Sequence, residues 1–348
     1  MISSVRIIVI IILYGVSLQG YAQSSLTLME LNAENFFDTI DDPLTDDDSF
    51  LPNSIRKWNW GKFYHKCRNL GKTIAAVGGK ERLPDLVALC EVESDSALNR
   101  FVHTGILRNA GYDYFMTHSL DSRGVNVALL YRRVSFVPIC SETIRPDFSG
   151  LPPKRTRDVL HVSGKIVTGD TLDVFVYHMP SRLDRHRRGL RYRCRVALQI
   201  KDKVDSLMSA RNNAYIVITG DFNASPGSKS LSEALGASPA TEAVSKNEDS
   251  LFCMIDEHSG VGDVHGTYCY KDKWEVIDNI IVNGKLLNES SRIYTKKEYC
   301  SIFSAPFLLC EGAVSKIPYR TYNGMRYLGG FSDHLPVVAR FVLSFKNR

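Results

Sequence analysis

The sequence lacks several motifs by which common catalytic sites are recognised. It has no Cys-x-x-Cys pair, which excludes a zinc ribbon and a thioredoxin-like redox site. It has neither His-Glu-x-x-His nor His-x-His, which argues against a zinc hydrolase, and no Gly-x-Ser-x-Gly to support a serine nucleophile. The eight cysteines are dispersed, and Cys300 and Cys310 are the pair that we most expect to form a disulfide.

Long hydrophobic runs are also scarce. Residues 7–16 form a nearly continuous apolar stretch, which is shorter than the ~20 residues needed to span a bilayer. The stretch follows Arg6 and precedes Gly-Tyr-Ala at residues 20–22, which places the small residues Gly20 and Ala22 at the positions that signal peptidase reads. We therefore predict a signal peptide over residues 1–22, cleavage near Ala22, and an exported (periplasmic or secreted) protein without a stable membrane anchor.

Charge of one sign is not in large excess, because 43 Lys and Arg face 38 Asp and Glu among 348 residues. Net charge therefore does not identify a partner. Residues 182–195 are an exception, with seven arginines and one acid. Since 44% of the residues are hydrophobic and no repeat or low-complexity linker is present, residues 23–348 are predicted to form one α/β domain, which we expect to be monomeric.

Apolar patterns predict alternating strands and helices along this domain. Helices are expected at residues 58–77, 94–110 and 189–210. Strands are expected at residues 26–31, 85–90, 125–131, 159–167, 172–177, 215–219, 276–282 and 336–345. This order favours sheets covered by helices.

Polar residues that can bind a metal or move a proton adjoin several of the predicted strands. They are Asn32, Glu91, His178, Asp221, Asn223, Asp278, Asp333 and His334. Strand ends in layered sheets converge on one edge, where ligands usually bind. Carboxylates with an Asn and no thiolate suit Mg²⁺, with Mn²⁺ as an alternative, and histidines beside them could activate a water molecule on a phosphoester.

Four segments resemble, in order, the signature segments of the endonuclease/exonuclease/phosphatase superfamily, which has the deoxyribonuclease I-like fold. They are LNAENFFD at residues 31–38, CEVE at 90–93, GDFN at 220–223 and SDHLP at 332–336. The resemblance extends from Asn32 to His334. It implies a four-layer α/β/β/α sandwich with two packed mixed β-sheets, and an exported member of bacterial type.

The resemblance also implies a metal site. Glu91 corresponds to the principal ligand, and Asn32 to the Asn that orients this ligand or contacts phosphate. Asp333 corresponds to a second metal contact, and Glu34 lies where some members have a further coordinating acid. Glu34 could instead lie behind the ligands.

Catalytic roles follow from the same resemblance. His334 and Asp278 correspond to a base dyad that takes a proton from water. His178 corresponds to a histidine that stabilises the transition state or protonates the leaving group. Asp221 and Asn223 correspond to the pair that positions the nucleophile and binds a phosphate oxygen.

Basic and aromatic residues favour nucleic acid, or another phosphodiester, as substrate. Backbone phosphates attract arginines, and bases stack on aromatic rings. Arg157 resembles a phosphate-binding residue of the superfamily, although a surface strand charge is the alternative. The candidate substrate-binding residues are Arg157, Arg182, Arg187, Arg191, Arg195, Tyr322 and Arg326. The arginines of residues 187–195 could equally be the solvated side of a helix.

Two other functions stay open at the level of sequence. A sphingomyelinase-like or small-phosphoester hydrolase of the same fold is the main alternative, because residues 302–309 could form an exposed apolar hairpin around Phe307. A catalytically inactive binding module is the second, although every position that binds metal or moves protons is retained.

Overall fold

Strands dominate the regular structure of the chain. The computed structural model describes residues 25–79, 82–182, 188–240 and 247–345, so the predicted signal peptide and Arg187 lie outside the described residues. The helices are α1 Trp60–Gly78, α2 Asp95–Val102 and α3 Arg188–Ala210. The strands are β1 Ser25–Phe36, β2 Leu86–Val92, β3 Tyr112–Met116, β4 Asn126–Arg132, β5 Phe136–Ile144, β6 Val159–Ile166, β7 Thr171–His178, β8 Tyr215–Asp221, β9 Ala237–Pro239, β10 Leu251–Cys253, β11 Tyr268–Tyr270, β12 Lys273–Glu275, β13 Asp278–Asn283, β14 Ile293–Tyr294, β15 Cys300–Ile302, β16 Leu309–Glu311, β17 Lys316–Pro318, β18 Tyr322–Asn323, β19 Arg326–Tyr327 and β20 Val337–Leu343.

Two seven-stranded mixed sheets form the centre of the fold. The first has the order β14-β20-β1-β2-β4-β3, with β15 also paired to β20, and the second has the order β5-β6-β7-β8-β13-β10-β9. The pairs β1–β2 and β7–β8 are parallel, whereas β13 runs antiparallel to β8. Hairpins β11–β12, β16–β17 and β18–β19 stand outside both sheets.

Side-chain alternation along the strands explains how the layers pack. On β1, Leu28 faces the second sheet and shares a core with Val174, whereas its neighbour Met29 packs with Phe63 of α1. Val196 of α3 belongs to a third core on the outer face of the second sheet. The predicted four-layer α/β/β/α sandwich is therefore confirmed.

Most of the predicted elements are present, with two kinds of difference. The helix expected over residues 94–110 ends at Val102, and a short 3-10 turn follows that begins at Gly105, whose φ is +55°. Strands β3, β5, β9–β12 and β14–β19 were not predicted; most of them are only two or three residues long, and β5 is largely exposed, so its apolar residues do not follow a buried-strand pattern.

Neither a membrane helix nor a disulfide is found in the described parts of the chain. None of their helices is both long and apolar enough to cross a bilayer. All eight thiols are free, so the expected Cys300–Cys310 bridge is wrong. Cys300 is buried 3.8 Å from Thr295 Oγ1, whereas the Cys310 thiol lies near the Pro318 carbonyl in a separate hairpin.

Candidate active site

The polar residues at the strand ends converge at one edge of the paired sheets. Apart from Asp278, which contacts His334 from behind, they line a cleft of about 790 Å³. The predicted residues in its lining are Asn32, Glu91, Arg157, His178, Arg182, Asp221, Asn223, Asp333 and His334. The topology explains this convergence, since parallel strands end at the same edge.

Strand register places three of these side chains next to one another. His178 at the end of β7 is opposite Asp221 of β8, and Asp221 is opposite Asp278 of β13. Gly220 permits the close approach of β7 and β8, because a Cβ there would lie 1.8 Å from the Tyr177 carbonyl oxygen. Its φ of +142° also favours glycine.

His334 and Asp278 are in direct contact. His334 Nδ1 lies 2.8 Å and 3.1 Å from the two carboxylate oxygens of Asp278, and its Nε2 lies 4.0 Å from Asp221 Oδ2. Burial alone would lower the pKa of His334, but Asp278 raises it well above the usual value. The Tyr268 ring, 4.9 Å away between ring centroids, covers one face of the imidazole.

Asp221 is the centre of the hydrogen-bond network in the cleft. Its Oδ2 accepts a bond from Asn32 Nδ2 at 3.1 Å and lies 3.3 Å from His178 Nε2. Its Oδ1 accepts from the Asn223 backbone N–H at 2.8 Å. Burial, followed by the nearby charge of Asp278, raises the pKa of Asp221 to about 7. Asn32 thus joins the two sheets at the cleft floor.

Arg157 is buried beneath the cleft, not on the surface of a strand. It donates to the carbonyls of His178 and Met179 at 3.2 Å and 2.8 Å, and to Asp121 Oδ2 at 3.0 Å. Burial, with the charge of Arg157 next in size, lowers the pKa of His178 well below its usual value, which favours the uncharged imidazole. Arg157 therefore fixes the backbone that carries His178.

Arg123, which the sequence analysis did not identify, holds Glu91 as a charged carboxylate. Glu91 Oε2 accepts from the Asn35 backbone N–H at 2.8 Å, and its Oε1 accepts from Arg123 Nη2 at 3.1 Å. Burial would raise the pKa of Glu91, but Arg123 brings it below the usual range. The turn at residues 121–124, directly before a predicted strand, was the available indication that Arg123 reaches this edge.

Glu34 does not reach the cleft. Its carboxylate accepts from the backbone N–H groups of Thr321 and Tyr322 at 2.6 Å and 3.3 Å, and lies 3.7 Å from the buried Lys66 ammonium. These contacts use its oxygens to hold the loop before β18. Glu34 is therefore a supporting residue, and its carboxylate does not serve as a metal ligand in the cleft.

Several predicted substrate-binding residues lie elsewhere. Tyr322 is only 5% exposed and packs against Phe50 and Trp58, so its ring faces are not available to a base. Arg195 donates to the Ser149 carbonyl. Neither it nor Arg191 is among the described residues that line the cleft. The same holds for Arg326, which is exposed on the β18–β19 hairpin.

Other basic residues take their place at the cleft. Lys154 and Arg155 line it together with Arg123, and none of these was identified from the sequence. Arg182 also lines the cleft, but both of its terminal nitrogens bond Glu275 of β12, one of them at 3.0 Å. Of the predicted basic residues, only Arg157 and Arg182 belong to the described lining of the cleft, so the sequence did not identify most of its basic residues.

The side chains available in the cleft fit a hard divalent cation. Glu91 and Asp333 supply carboxylates that line the cleft. Each Glu91 oxygen accepts one hydrogen bond, from the Asn35 N–H or from Arg123, and keeps a further lone pair for a cation. Ligand atoms of Asp221, Asp278 and His334 also lie within 4.8 Å of one another. Asp278, however, lies behind His334 with both of its oxygens in contact with that imidazole and does not belong to the described lining of the cleft, so Glu91 and Asp333 are the better ligands.

Four non-glycine residues at or beside the cleft have a left-handed backbone. Their φ angles are +50° at Glu34, +50° at Asn35, +60° at Glu91 and +47° at Asn223. Such conformations cost of order 1–3 kcal/mol each and are typical of functional sites.

The family model described as the Endonuclease/Exonuclease/phosphatase family matches residues 27–342 of the chain. The chain belongs to this family. This match confirms the superfamily that was recognised in the sequence. Members of the family are hydrolases of phosphoesters. No curated protein sequence matches the chain.

Solved structures share the fold of this family member along nearly its whole length. A family protein from Bacteroides thetaiotaomicron is 18% identical, with a TM-score of 0.58, and the match covers 93% of this chain and 96% of that one. A mannosyl-6-phosphatase from the same organism is 18% identical, with a TM-score of 0.59 and coverages of 91% and 100%. TDP2 from D. rerio, complexed with single-strand DNA product, is 15% identical, with a TM-score of 0.53 and coverages of 91% and 99%.

Proposed function

We propose that this family member is an exported, Mg²⁺-dependent phosphodiesterase that cleaves nucleic acid. The observation that carries the proposal is the composition of the cleft. Buried acid and imidazole groups form its floor, and its walls hold the basic residues Arg123, Lys154, Arg155 and Arg182, with Arg157 buried beneath them. A polyanion with a scissile phosphate fits both parts. The predicted signal peptide supports export.

Glu91 and Asp333 would hold the cation, with Mn²⁺ as the alternative to Mg²⁺, and the cation would supply positive charge to the phosphate oxygens. Asn32 would not be a direct ligand, because its amide oxygen accepts from the Glu34 N–H at 2.9 Å and its nitrogen donates to Asp221. Asn32 instead keeps Asp221 at a fixed place in the cleft.

The attacking water is proposed to lie between His334 and Asp221. The 4.0 Å between His334 Nε2 and Asp221 Oδ2 is too long for a hydrogen bond but suits one bridging water. Asp278 holds His334 Nδ1, so Nε2 faces this position. As the water oxygen attacks phosphorus, its proton passes to the Asp221–His334 pair, the bond from phosphorus to the leaving oxygen breaks, and the leaving oxygen takes up a proton from water.

His178 and Asn223 are proposed to organise the other side of the phosphate. His178 Nε2 lies 3.3 Å from Asp221, and its buried Nδ1 has no hydrogen-bond partner among the described residues. The Asn223 amide nitrogen donates to the Met179 carbonyl at 3.0 Å. The two side chains are thereby fixed before substrate arrives, which lowers the ordering cost of the reaction.

A small phosphoester is the second candidate substrate. The ion pair between Arg182 and Glu275 favours this candidate. The pair neutralises the charge of Arg182, and it joins the loop after β7 to hairpin β11–β12 at the rim of the cleft. A mannosyl-6-phosphatase also shares the fold. The lipid alternative has less support, since Phe307 packs against Phe331 at 5.1 Å with Lys72 over its ring, and so does not form an exposed apolar hairpin.

Metal-dependent hydrolysis tests the proposal directly. The purified protein should cleave bis-p-nitrophenyl phosphate and single-stranded DNA with Mg²⁺ or Mn²⁺, and EDTA should stop both reactions. Glu91→Gln should lower turnover about 10²-fold or more, because the cation loses its main charged ligand. The exposed Glu311→Gln is the matched control. Hydrolysis that is insensitive to EDTA, or full activity of Glu91→Gln, would refute the metal assignment; cleavage of small phosphoesters without DNA would favour the second candidate.

A further inference from the structure

A second pocket, of about 280 Å³, lies beside the cleft and shares the side chain of Tyr270 with it. We call it the hairpin pocket, because hairpins β11–β12 and β16–β17 supply most of its wall. Its apolar wall residues include Ile317, Pro318 and Leu328, and its polar ones include Lys271, Arg320 and Asn323. Apolar surface beside cations and an amide suits a sugar and its phosphate better than a purely apolar ligand.

Arg320 carries a positive charge into this pocket. Within the described parts of the chain no carboxylate forms a salt bridge with it, in contrast to Arg182, which Glu275 neutralises. The acid among the described lining residues, Asp272, is turned toward the Val314 backbone N–H, from which its Oδ1 accepts at 3.4 Å. The Arg320 charge also lies close to the Tyr268 hydroxyl, so the pocket adjoins the ring that covers His334.

Lys271 adds a second cation from a strained turn. Tyr270 pairs with Lys273, so Lys271 and Asp272 form a two-residue hairpin turn, with φ angles of +50° and +58°. Asn-Gly is the usual sequence for such a turn, and a Lys there costs backbone energy. The Lys271 ammonium lies 5.3 Å from the centroid of the Tyr270 ring. A strained residue whose charge faces a pocket indicates that the side chain is used.

We propose that the hairpin pocket binds a second phosphate group of the substrate, next to the one that is cleaved, with Arg320 and Lys271 as its anion-binding residues. The Tyr270 ring, 55% exposed, lies between the two pockets and packs on the sugar or base that connects the phosphates. This proposal rests on the proposed function, since it places an extended phosphate-bearing chain across the cleft.

Binding without turnover tests the pocket separately from catalysis. In EDTA, the trinucleotide TpTpT, with two phosphates, should bind about tenfold or more tightly than TpT, with one, because a charge-assisted bond to the second phosphate is gained. The same comparison between thymidine 3′,5′-bisphosphate and thymidine 5′-phosphate shows whether the second phosphate belongs to a nucleic acid or to a small bisphosphate. Isothermal titration at fixed salt measures all four affinities.

Variants of the two cations give the sharper readout. Arg320→Gln and Lys271→Asn should bring the affinity ratio of two-phosphate to one-phosphate ligands close to one, and Asn suits the left-handed backbone at residue 271. Arg320→Lys and Lys271→Arg should retain the ratio. Arg326→Gln is the matched control, because Arg326 is exposed and outside both linings among the described residues.

Equal affinities for one-phosphate and two-phosphate ligands in the wild type would overturn the second-phosphate site. A preference that survives both charge-removing variants would overturn the assignment to Arg320 and Lys271. A gain in affinity from the second phosphate that is seen for thymidine 3′,5′-bisphosphate but not for TpTpT would support the site and identify a small substrate. Failure of the proposed function is seen independently, as an absence of metal-dependent bis-p-nitrophenyl phosphate hydrolysis.

Discussion

Arg123 occupies the position beside Glu91 at which a cation would neutralise the carboxylate. Its guanidinium lies 3.1 Å from Glu91 Oε1, yet 41% of its side chain is exposed, so it is not locked in place. If Glu91 holds a metal ion, as we propose, that ion and the Arg123 guanidinium would compete for Glu91 Oε1. Loading of the metal would therefore release Arg123 toward the substrate phosphate.

This competition predicts that Arg123→Gln binds Mn²⁺ more tightly than the wild type. The gain should be about twofold to fivefold, the range of a partly exposed ion pair that no longer has to be broken. Titration followed by the electron paramagnetic resonance of free Mn²⁺ measures it. Arg182→Gln removes a charge at the rim without touching Glu91 and should leave the affinity unchanged. Weaker Mn²⁺ binding by Arg123→Gln would show instead that the arginine builds the metal site.

Single residues also show where sequence reasoning reaches its limit. Glu91, His178 and His334 could be found because each adjoins a predicted strand and lies in a recognisable motif. Glu34 lies in such a motif too, but its φ of +50° within a strand irregularity turns its carboxylate to the Thr321 loop. A motif does not specify the direction of a side chain at a bulge. Arg123 was missed because its role depends on a turn that returns to the sheet edge.

Among the elements, the parallel pair β7–β8 positions two residues of the candidate active site, His178 and Asp221. Its last two registered pairs are Tyr177 with Gly220 and His178 with Asp221. The spacing between the two strand ends, and hence between His178 and Asp221, depends on the missing side chain at Gly220. The amphipathic stripes of α1 and α3 could be read from sequence, whereas this dependence required the strand partners to be known.

Gly220→Ala is expected to destabilise the protein by more than about 1 kcal/mol and to reduce activity sharply. The new methyl group cannot fit 1.8 Å from the Tyr177 oxygen, so the strand ends must separate. Chemical denaturation measures the stability, and bis-p-nitrophenyl phosphate hydrolysis measures the activity. Gly227→Ala is the control, since nothing lies within 4 Å of its added Cβ, and should change stability by no more than about 0.5 kcal/mol. A fully active, stable Gly220→Ala protein would contradict the register.

At the scale of the whole molecule, five of the eight thiols are buried, four of them in the cores between the layers. Burial raises the pKa of Cys67, Cys253 and Cys300 to about 12, whereas Cys140 is exposed on β5. The layered fold could be predicted from the order of strands and helices. The pairing of the cysteines could not be predicted, because it depends on contacts between layers and hairpins.

Thiol labelling checks this distribution. In the native protein at pH 8, Cys140 should react with a maleimide first, and the three thiols with pKa near 12 should react only on unfolding. All eight should react in denaturant without reductant. Cys140→Ser, which removes the exposed thiol, should abolish the fast phase. Six reactive thiols instead of eight would reveal a disulfide and contradict the free cysteines of the structure.

The left-handed backbone at Glu91 affects how the molecule would respond to laboratory evolution. The conformation opposes folding by of order 1–3 kcal/mol, as it does at Glu34 on β1, and the rest of the sandwich must offset it. Selection for heat resistance alone would therefore favour glycine at residue 91, where the proposed metal ligand is needed, and thermal stability would rise while activity was lost. A library selected for both properties would have to find its added stability far from the cleft, in the three cores or on exposed helix surfaces.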